Sequence, residues 1–299
     1  MVKEAFELDI VIIGHVAKDI IEIDGVSKEY LGGAVYYGGL AGSRMGLKMA
    51  IVTRLKIEDF PILDSFRNRN IRTYAYSAKE TSGLKNIYSS RNMEYRSYEP
   101  LGFAGAFKKE VIPDFNTKYF VIGSIIAGEI DLEVLEYLHE RYDDKLGLDI
   151  QGFIRGLKDN KMQYFTLTEK EKIEIISKVD YLKVDETEAK ALTTQSSLPK
   201  AGKQLLDLGP KEVLITHRSG TTLILKKESY FFPWKNKTSI GRTGRGDTAF
   251  ISYLGSRITK SPKESLRFCA ALTSLKMEAV EPFSLPLNAV EKLIREEYS

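Results

Sequence analysis

The chain alternates short apolar runs with longer segments in which apolar residues recur every three or four positions. The apolar runs are rich in Val and Ile and predict buried strands at 8–14, 48–54, 119–124, 145–150, 181–184 and 212–216. The longer segments predict helices at 34–45, 131–141, 169–177, 187–193, 247–258, 262–277 and 286–297. Because strands that alternate with helices form βαβ units, we expect an α/β protein with a mostly parallel sheet.

Residues 71–103 depart from this alternation. Their pattern has a period of two, tyrosine is frequent, and Gly83 interrupts the run. Such a pattern is typical of antiparallel strands joined by turns. Together with residues of about 15–31, which include an Asp24-Gly25 turn, it predicts a small second sheet that covers an active site as a lid. The alternative is an extra hairpin at the edge of the main sheet.

Composition adds the broad class of protein. The chain has 299 residues, of which 43% are hydrophobic and 28% are charged, as expected for one α/β core with a small appendage. The net charge of +3 and the scattered basic residues do not favour a surface that binds nucleic acid or an anionic membrane. Cys269, the single cysteine, lies in an apolar run and is expected to be an inert core thiol.

The first residues lack the pattern of a signal peptide, and no apolar run approaches the length of a membrane span. We therefore expect a cytoplasmic protein.

The segment with the most informative chemistry is 241–247, which reads GRTGRGD and precedes a predicted helix. Gly244 and Gly246 allow the backbone to turn and to expose its N–H groups, and the helix adds further donors and the positive end of its dipole. These features predict an anion-binding loop suited to a phosphoryl group in transfer. Asp247 lies at the mouth of this loop, where it could accept a proton from an attacking hydroxyl. The alternative is that Asp247 only caps the helix while the glycines serve a tight turn.

This segment resembles the C-terminal signature of the PfkB carbohydrate kinases, D-T/P-x-A/G-A-G-D. The positions that match are Thr243, Gly244, Gly246 and Asp247. The resemblance implies one ribokinase-like domain over the whole chain, a three-layer α/β/α sandwich with a mostly parallel central sheet and a small antiparallel β lid. Asp247 would then be the catalytic base. The amides of Gly244, Arg245 and Gly246 would form an anion hole for the phosphoryl group.

The segment also departs from the signature. Gly241 replaces the leading Asp, which in the family often helps to hold a monovalent cation, so potassium activation is in doubt for this chain. Arg245 replaces the usual small residue, and Arg242 replaces a Thr or Pro. These arginines, with Thr243, either bind the phosphates of the donor or are solvated loop charges.

The N-terminal half carries a second resemblance. Gly32 and Gly33 precede a predicted helix, like the glycine pair through which the family brings its backbone close to a sugar. Asp19 follows the first strand, and the corresponding Asp of the family binds substrate. Because a carboxylate can accept hydrogen bonds from two hydroxyls, we expect these three residues to bind a sugar or polyol.

Two further segments resemble family motifs that approach the phosphoryl donor. The sequence DETE contains Asp185 and Glu188 and resembles the N-x-x-E motif, which organises magnesium and phosphates, often through water. The alternative is an acidic first helical turn favoured by the helix dipole. The second segment resembles the strand and turn near the nucleotide phosphates, and its candidate residues are Thr216, Ser219 and Gly220.

The substrate is suggested by two more segments. Residues 127–130, AGEI, and 148–155, LDIQGFIR, resemble the G-G-E-I and V-D-I-Q-x-x-I-R segments of the family's inositol kinases. Because open α/β sheets bind ligands beyond the carboxyl ends of their strands, we expect the pocket to include Glu129, Asp149, Gln151 and Arg155. For Asp149 and Arg155 the alternative is a local structural pair.

The resemblance therefore implies an ATP- and Mg²⁺-dependent kinase for a cyclic polyol or sugar. We expect myo-inositol, with ribose, fructose or a nucleoside as alternatives, and a possible homodimer through the lid. A non-catalytic sensor of a polyol or nucleotide is a second class of hypothesis, and ATP turnover would separate the two. A dehydrogenase is disfavoured because no G-x-G-x-x-G follows the first strand.

Overall fold

The computed structural model describes residues 7–158 and 161–298. Its strands are β1 (Leu8–Ile13), β2 (Ala17–Ile23), β3 (Val26–Gly32), β4 (Met49–Lys56), β5 (Arg72–Ala78), β6 (Gly83–Ser89), β7 (Asn92–Gly102), β8 (Thr117–Ile122), β9 (Leu146–Asp149), β10 (Arg155–Lys158), β11 (Lys161–Tyr164), β12 (Tyr181–Asp185), β13 (Glu212–His217), β14 (Gly220–Ile224) and β15 (Ser229–Pro233). Its α-helices are α1 (Ala34–Arg44), α2 (Asp64–Arg67), α3 (Leu132–Arg141), α4 (Gln151–Ile154), α5 (Glu169–Ile176), α6 (Glu186–Thr193), α7 (Leu198–Leu206), α8 (Arg245–Arg257), α9 (Pro262–Lys276) and α10 (Leu287–Glu297). Short 3₁₀ helices cover Ile57–Leu63 and Lys109–Val111.

The main sheet has nine strands in the order β15-β14-β13-β12-β9-β8-β1-β4-β5. Pairing is parallel from β13 to β5 and antiparallel for β14 and β15, which confirms the mostly parallel sheet. A central parallel strand is covered on both faces and is therefore apolar along its whole length. This is why the sequence of β1, LDIVII, shows no polar alternation.

Helices cover both faces of this sheet, which confirms the three-layer sandwich. On β1, Val11 and Ile13 belong to a core shared with α3, α5, α6 and α7. Ile10 and Ile12 belong to the opposite core, shared with α1, α8 and α9. Cys269 is fully buried in that second core, and burial raises the pKa of its thiol to about 12, as expected for an inert thiol.

A second sheet has the strand order β3-β2-β6-β7. Pairs β2–β3 and β6–β7 are antiparallel, whereas β2 and β6 are parallel. One part of the prediction for residues 71–103 is wrong, because β5 joins the main sheet beside β4. A period of two indicates only that one face of a strand is buried, and Tyr74 and Tyr76 of β5 bury that face against the main core.

The second sheet covers the carboxyl-terminal ends of strands β1, β9 and β12 of the main sheet. A small apolar cluster joins the two sheets and consists of Ala17, Leu84, Ile125 and Ile126, with Phe103 packed against it. The space between the sheets is the position where open α/β proteins bind ligands. Within the described part of the chain, none of the helices combines the length and apolar character that crossing a bilayer requires.

Candidate active site

The glycine-rich loop enters α8 through a residue in the left-handed backbone conformation. Gly244 is the residue before the helix and has a φ of 78°, where a side chain is disfavoured. A Cβ atom at this position would also lie 2.2 Å from the ring of Tyr37. Gly246 is the second residue of α8, so its N–H belongs to the first turn, which lacks acceptors within the helix. The amide of Arg245, in contrast, donates to the carbonyl of Arg242 at 3.1 Å and is engaged within the turn.

Asp247 is the third residue of α8, so the alternative that it is the N-cap is wrong. Its side chain faces a cleft between the two sheets, which we call the main cleft. Burial raises the pKa of the carboxyl group to about 6, and the nearby Asp149 adds to this increase. Three cations oppose it, namely Lys183, Arg155 and Lys276. The result is a carboxylate that is ionised at neutral pH and more basic than usual.

Lys183 lies beneath the loop and is almost fully buried on β12. Its ammonium forms an ion pair with Asp149 at 2.9 Å and lies 3.9 Å from Glu188. Burial opposes the charge, but Asp149, Glu188 and Asp185 together hold the pKa of Lys183 above its usual range. A Cβ atom at Gly246 would lie 2.8 Å from this ammonium, which therefore occupies the floor of the glycine-rich loop.

Asp185 and Glu188 form a capping box at the start of α6. The Asp185 side chain accepts from the Glu188 amide at 2.8 Å, and Glu188 accepts from the Asp185 amide at 2.6 Å. Both residues also line the main cleft. Burial and the neighbouring Asp185 raise the pKa of Glu188 above its usual value. Asp185 and Glu188 therefore do cap α6, as the alternative interpretation expected. One oxygen of each carboxylate takes no part in the capping hydrogen bonds.

These two oxygens fit a magnesium site. Mg²⁺ typically uses one or two protein carboxylates and completes its coordination with water and substrate phosphates. Asp185 and Glu188 offer two carboxylates on one wall of the cleft, at the ends of β12 and the start of α6.

On the lid side, Asp19 of β2 lines the main cleft. One carboxylate oxygen accepts from the amide of Leu84 at 2.9 Å, which ties β2 to β6. A Cβ atom at Gly32 would lie 2.3 Å from the other oxygen, so this glycine makes room for the carboxylate. Gly33 has a φ of 91° and also lines the cleft, and a Cβ atom there would lie 2.3 Å from the His15 carbonyl.

The remaining polar wall comes from β6 and from the segment after β9. Asn86, Gln151 and Arg155 line the main cleft together with Tyr164. The guanidinium of Arg155 donates two hydrogen bonds to the carbonyl of Ile125, at 2.9 and 2.6 Å, which fixes its position. Neutral polar side chains and one cation therefore line this part of the main cleft.

Glu129, expected in the pocket, does not line the cleft. Its carboxylate is fully buried and accepts hydrogen bonds from the amides of His15, Ile125 and Ile126, at 3.0, 2.6 and 3.0 Å. It therefore holds the backbone that follows β1 and β8. Asp149 is likewise absent from the lining, and its carboxylate contacts Lys183, which lines the cleft.

A second cleft adjoins the glycine-rich loop, and we call it the arginine cleft. Arg242 and Arg245 line both clefts, and Arg218 joins them in the second. The other lining residues are Ser219, Trp234, Asn236, Ser239 and Met277. Gly220 does not line either cleft, and a Cβ atom there would lie 2.4 Å from the Phe232 carbonyl of β15.

Most of the predicted residues meet at one place. Those that line the main cleft are Asp19, Gly33, Gln151, Arg155, Asp185, Glu188, Thr216, Arg242, Thr243, Gly244, Arg245, Gly246 and Asp247. Sequence reasoning missed several residues of the site, namely Tyr37, Leu84, Asn86, Ile125, Tyr164 and Lys183 in the lining of the main cleft and Lys276 beside the loop. Lys183 and Lys276 had a detectable signal, because each is a lysine within an otherwise buried strand or helix face, where an unpaired charge is costly.

Comparisons with solved structures find the same architecture. A pyrophosphate-dependent kinase in the ribokinase family, solved as a sulfate complex, has a TM-score of 0.86 and 26% identity over 94% of this chain and 99% of its own. A pyrophosphate-dependent kinase of that family, complexed with a pyrophosphate analogue and myo-inositol, has a TM-score of 0.84 and 27% identity over 95% and 99%. Ribokinase from Thermotoga maritima, at 18% identity over 97% and 100%, has a TM-score of 0.75 and shares the fold.

A comparison with curated protein sequences finds no match. The profile of the pfkB family carbohydrate kinases, however, matches residues 10–284, which include both clefts and all the motifs of the sequence analysis. The chain therefore belongs to the pfkB family of carbohydrate kinases.

Proposed function

We propose that this kinase transfers a phosphoryl group to a hydroxyl of myo-inositol. The observation that carries the proposal is the position of the Asp247 carboxylate, which faces the polar lid side of the cleft from the first turn of α8. A hydroxyl bound there would meet the base and the anion-binding loop together. Since the pKa of Asp247 is about 6, the group is ionised at neutral pH and can accept the hydroxyl proton.

The transfer step depends on charge placed in advance. The amides at the start of α8 and the Lys183 ammonium would stabilise the negative charge of the phosphoryl group in flight. Asp185 and Glu188 would hold Mg²⁺, which when bound neutralises charge on the phosphates of the donor. The lid excludes water, which would otherwise compete with the hydroxyl as the acceptor.

The polyol pocket is supported by the chemistry of its walls. Asp19 supplies hydrogen-bond acceptors and Arg155 supplies donors. Asn86 and Gln151 each supply both a donor and an acceptor. A cyclic polyol presents hydroxyls around its whole rim and suits polar groups that surround it. The similar structure solved with myo-inositol supports this choice of substrate. Ribose, fructose and nucleosides are the alternatives, and a homodimer through the lid stays a prediction.

For the donor, we propose pyrophosphate in preference to the expected ATP. Arg218, Arg242 and Arg245 line the arginine cleft behind the anion-binding loop. Guanidinium groups bind phosphate oxygens in pairs of hydrogen bonds and compensate dense negative charge. Pyrophosphate concentrates its charge without a base or ribose, so it matches such a cleft. The pyrophosphate dependence of the similar kinases also favours this donor.

A matrix of donors and acceptors tests both parts of the proposal. Pyrophosphate, ATP and ADP would each be combined with myo-inositol, ribose, fructose and adenosine, and the phosphate ester would be quantified by mass spectrometry. We expect the highest kcat/KM for pyrophosphate with myo-inositol. Turnover only with ATP would overturn the donor assignment, and turnover only with another acceptor would overturn the substrate. Tight binding without turnover of any pair would favour the sensor hypothesis.

A further inference from the structure

The last residue of α9, Lys276, places its ammonium group inside the protein beside the anion-binding loop. The side chain is 1% exposed. Its Nζ donates to the backbone carbonyls of Gly241 and Thr243, both at 2.6 Å, and to those of Ala279 and Val280 at 3.3 and 3.4 Å. The ammonium thus ties the segment that enters the loop to the turn that follows α9.

The surroundings of the ammonium resemble the coordination of a bound cation. An ammonium has three protons, whereas four carbonyl oxygens surround this one, so the attraction is that of a positive charge for oxygen dipoles. The ring of Tyr37 adds a contact of 4.7 Å between its centroid and Nζ. Burial lowers the pKa of Lys276 to about 7, while Asp247 and Glu281 favour its charged form.

The surroundings of Gly241 leave no room for an acidic side chain beside the Lys276 ammonium. A Cβ atom at Gly241 would lie 1.7 Å from the carbonyl oxygen of Ala279, and the Gly241 amide donates to the Met277 carbonyl at 2.9 Å. The aspartate that the family signature has at this position could not be accommodated without moving the turn. The residues present therefore do not fit a monovalent metal ion, because Lys276 already occupies the carbonyl cluster.

We propose that the Lys276 ammonium is a built-in monovalent cation, which positions the anion-binding loop and makes the enzyme independent of added potassium. Lys276 is a positioning residue, since its contacts are with backbone carbonyls. The proposal rests on the kinase activity of the family and on the loop geometry. It does not require myo-inositol or pyrophosphate to be the substrates.

The first test uses the wild-type enzyme. Turnover would be measured with the best donor and acceptor pair in tetramethylammonium chloride, and then after addition of 100 mM K⁺, Na⁺ or NH₄⁺ at constant ionic strength. We expect kcat to change by less than about twofold, because the loop needs no external ion. A stimulation by K⁺ of tenfold or more would overturn the proposal, whatever the variants show.

The second test uses a pair of variants at Lys276. Lys276→Met keeps most of the side-chain volume and removes the charge, whereas Lys276→Ala opens a cavity among the carbonyls. A displacement of about 1 Å in a catalytic loop can cost about 10²-fold in rate, so we expect kcat to fall by about that factor in both. Ammonium or methylammonium should restore at least tenfold in Lys276→Ala and leave Lys276→Met unchanged. The matched control is Lys263→Ala, an exposed position on the same helix.

Lys276→Met with kcat within threefold of the wild type, in a folded protein, would overturn the proposal. Circular dichroism would establish folding, and if neither variant folds, the ion test on the wild type decides alone. If no donor and acceptor pair gives turnover, the proposed substrates fail. The cation test is then made on the affinity of the wild type for pyrophosphate and for ATP, which should not depend on K⁺.

Discussion

The two sides of the main cleft are built in different ways. On the side of α8 the residues are tightly packed. The backbone of Gly244 lies against the Tyr37 ring, and the ammonium groups of Lys183 and Lys276 are buried among oxygen atoms. On the lid side, Asp19 projects from β2, whose partner β3 is exposed along most of its length. The phosphoryl side therefore has little freedom to change, whereas the lid side can vary its side chains.

This difference matches a division of labour. A phosphoryl group is the same in every reaction of this type, so its site can be built from backbone amides and glycines that no side chain can replace. The acceptor differs between related kinases, and strands with one exposed face can exchange pocket residues at small cost to stability. We expect substitutions on the α8 side to lower kcat and substitutions on the lid side to raise the acceptor KM.

The largest effect is expected for Asp247→Asn. This change keeps the size of the side chain and removes the base, so kcat should fall by about 10²–10⁴-fold while donor affinity changes little. Steady-state kinetics and calorimetric titration of the donor would measure the two quantities. Activity within tenfold of the wild type would refute the role of Asp247.

Gly244→Ala tests whether the close packing of the loop matters. The positive φ alone should cost about 1–3 kcal/mol of unfolding free energy, and the contact with Tyr37 should displace the loop and lower kcat. The matched control is Gly25→Ala in the β2–β3 turn, where φ is 85° and no atom lies within 4 Å. Thermal unfolding and kinetics of both variants would show strain alone in the control. Unchanged kcat in Gly244→Ala would contradict the comparison of the two sides.

Asp19→Asn tests the lid side. The amide keeps an acceptor for the Leu84 amide but removes the charge, and a lost acceptor in a polyol site typically costs about 1–3 kcal/mol. The acceptor KM should therefore rise about 5- to 150-fold while the donor KM stays constant. Glu22→Gln on the same strand, which removes the charge that pairs with Lys85 but can still accept the hydrogen bond from Ser27, serves as the control. If only the donor KM rises, the two sides of the cleft have been assigned in reverse.

The pH dependence gives the smallest expected effect near neutrality. Because the pKa of Asp247 is raised to about 6, the carboxyl is protonated and inactive at lower pH. The kcat/KM should fall about tenfold per pH unit below 6. Above about pH 7 it should fall again, because Lys276 then loses the charge that positions the loop. An acid limb near pH 4 would mean that burial and the charge of Asp149 do not raise the pKa of the Asp247 carboxyl group in the working enzyme.

The central strands and the loop before α8 could be predicted because their signals are local. An apolar run such as β1 and a glycine-rich segment such as 241–247 each specify one conformation. The position of β5 could not be predicted. A half-buried strand has the same alternation of buried and exposed residues at the edge of either sheet. Helix α7 and strands β14 and β15 were also missed, because their sequences are short or of mixed polarity.

The charged interior of the site could not be predicted for a different reason. Lys183 and Asp149 lie on separate strands. The Lys276 ammonium contacts carbonyls that precede α8 and carbonyls that follow α9. Such pairs depend on the packing of distant segments, which no local pattern contains. The sequence can mark a lysine as unusual within a buried face, but only the fold identifies its partner.

The most direct test of the central claim follows both products of the wild-type reaction by ³¹P NMR, with pyrophosphate, Mg²⁺ and myo-inositol. Transfer to the hydroxyl breaks the P–O–P bridge of pyrophosphate and forms one phosphate ester and one inorganic phosphate for each pyrophosphate consumed. The account predicts these two signals in equal amounts, with loss of both in Asp247→Asn. Release of two inorganic phosphates without an ester, or equal activity in Asp247→Asn, would contradict it.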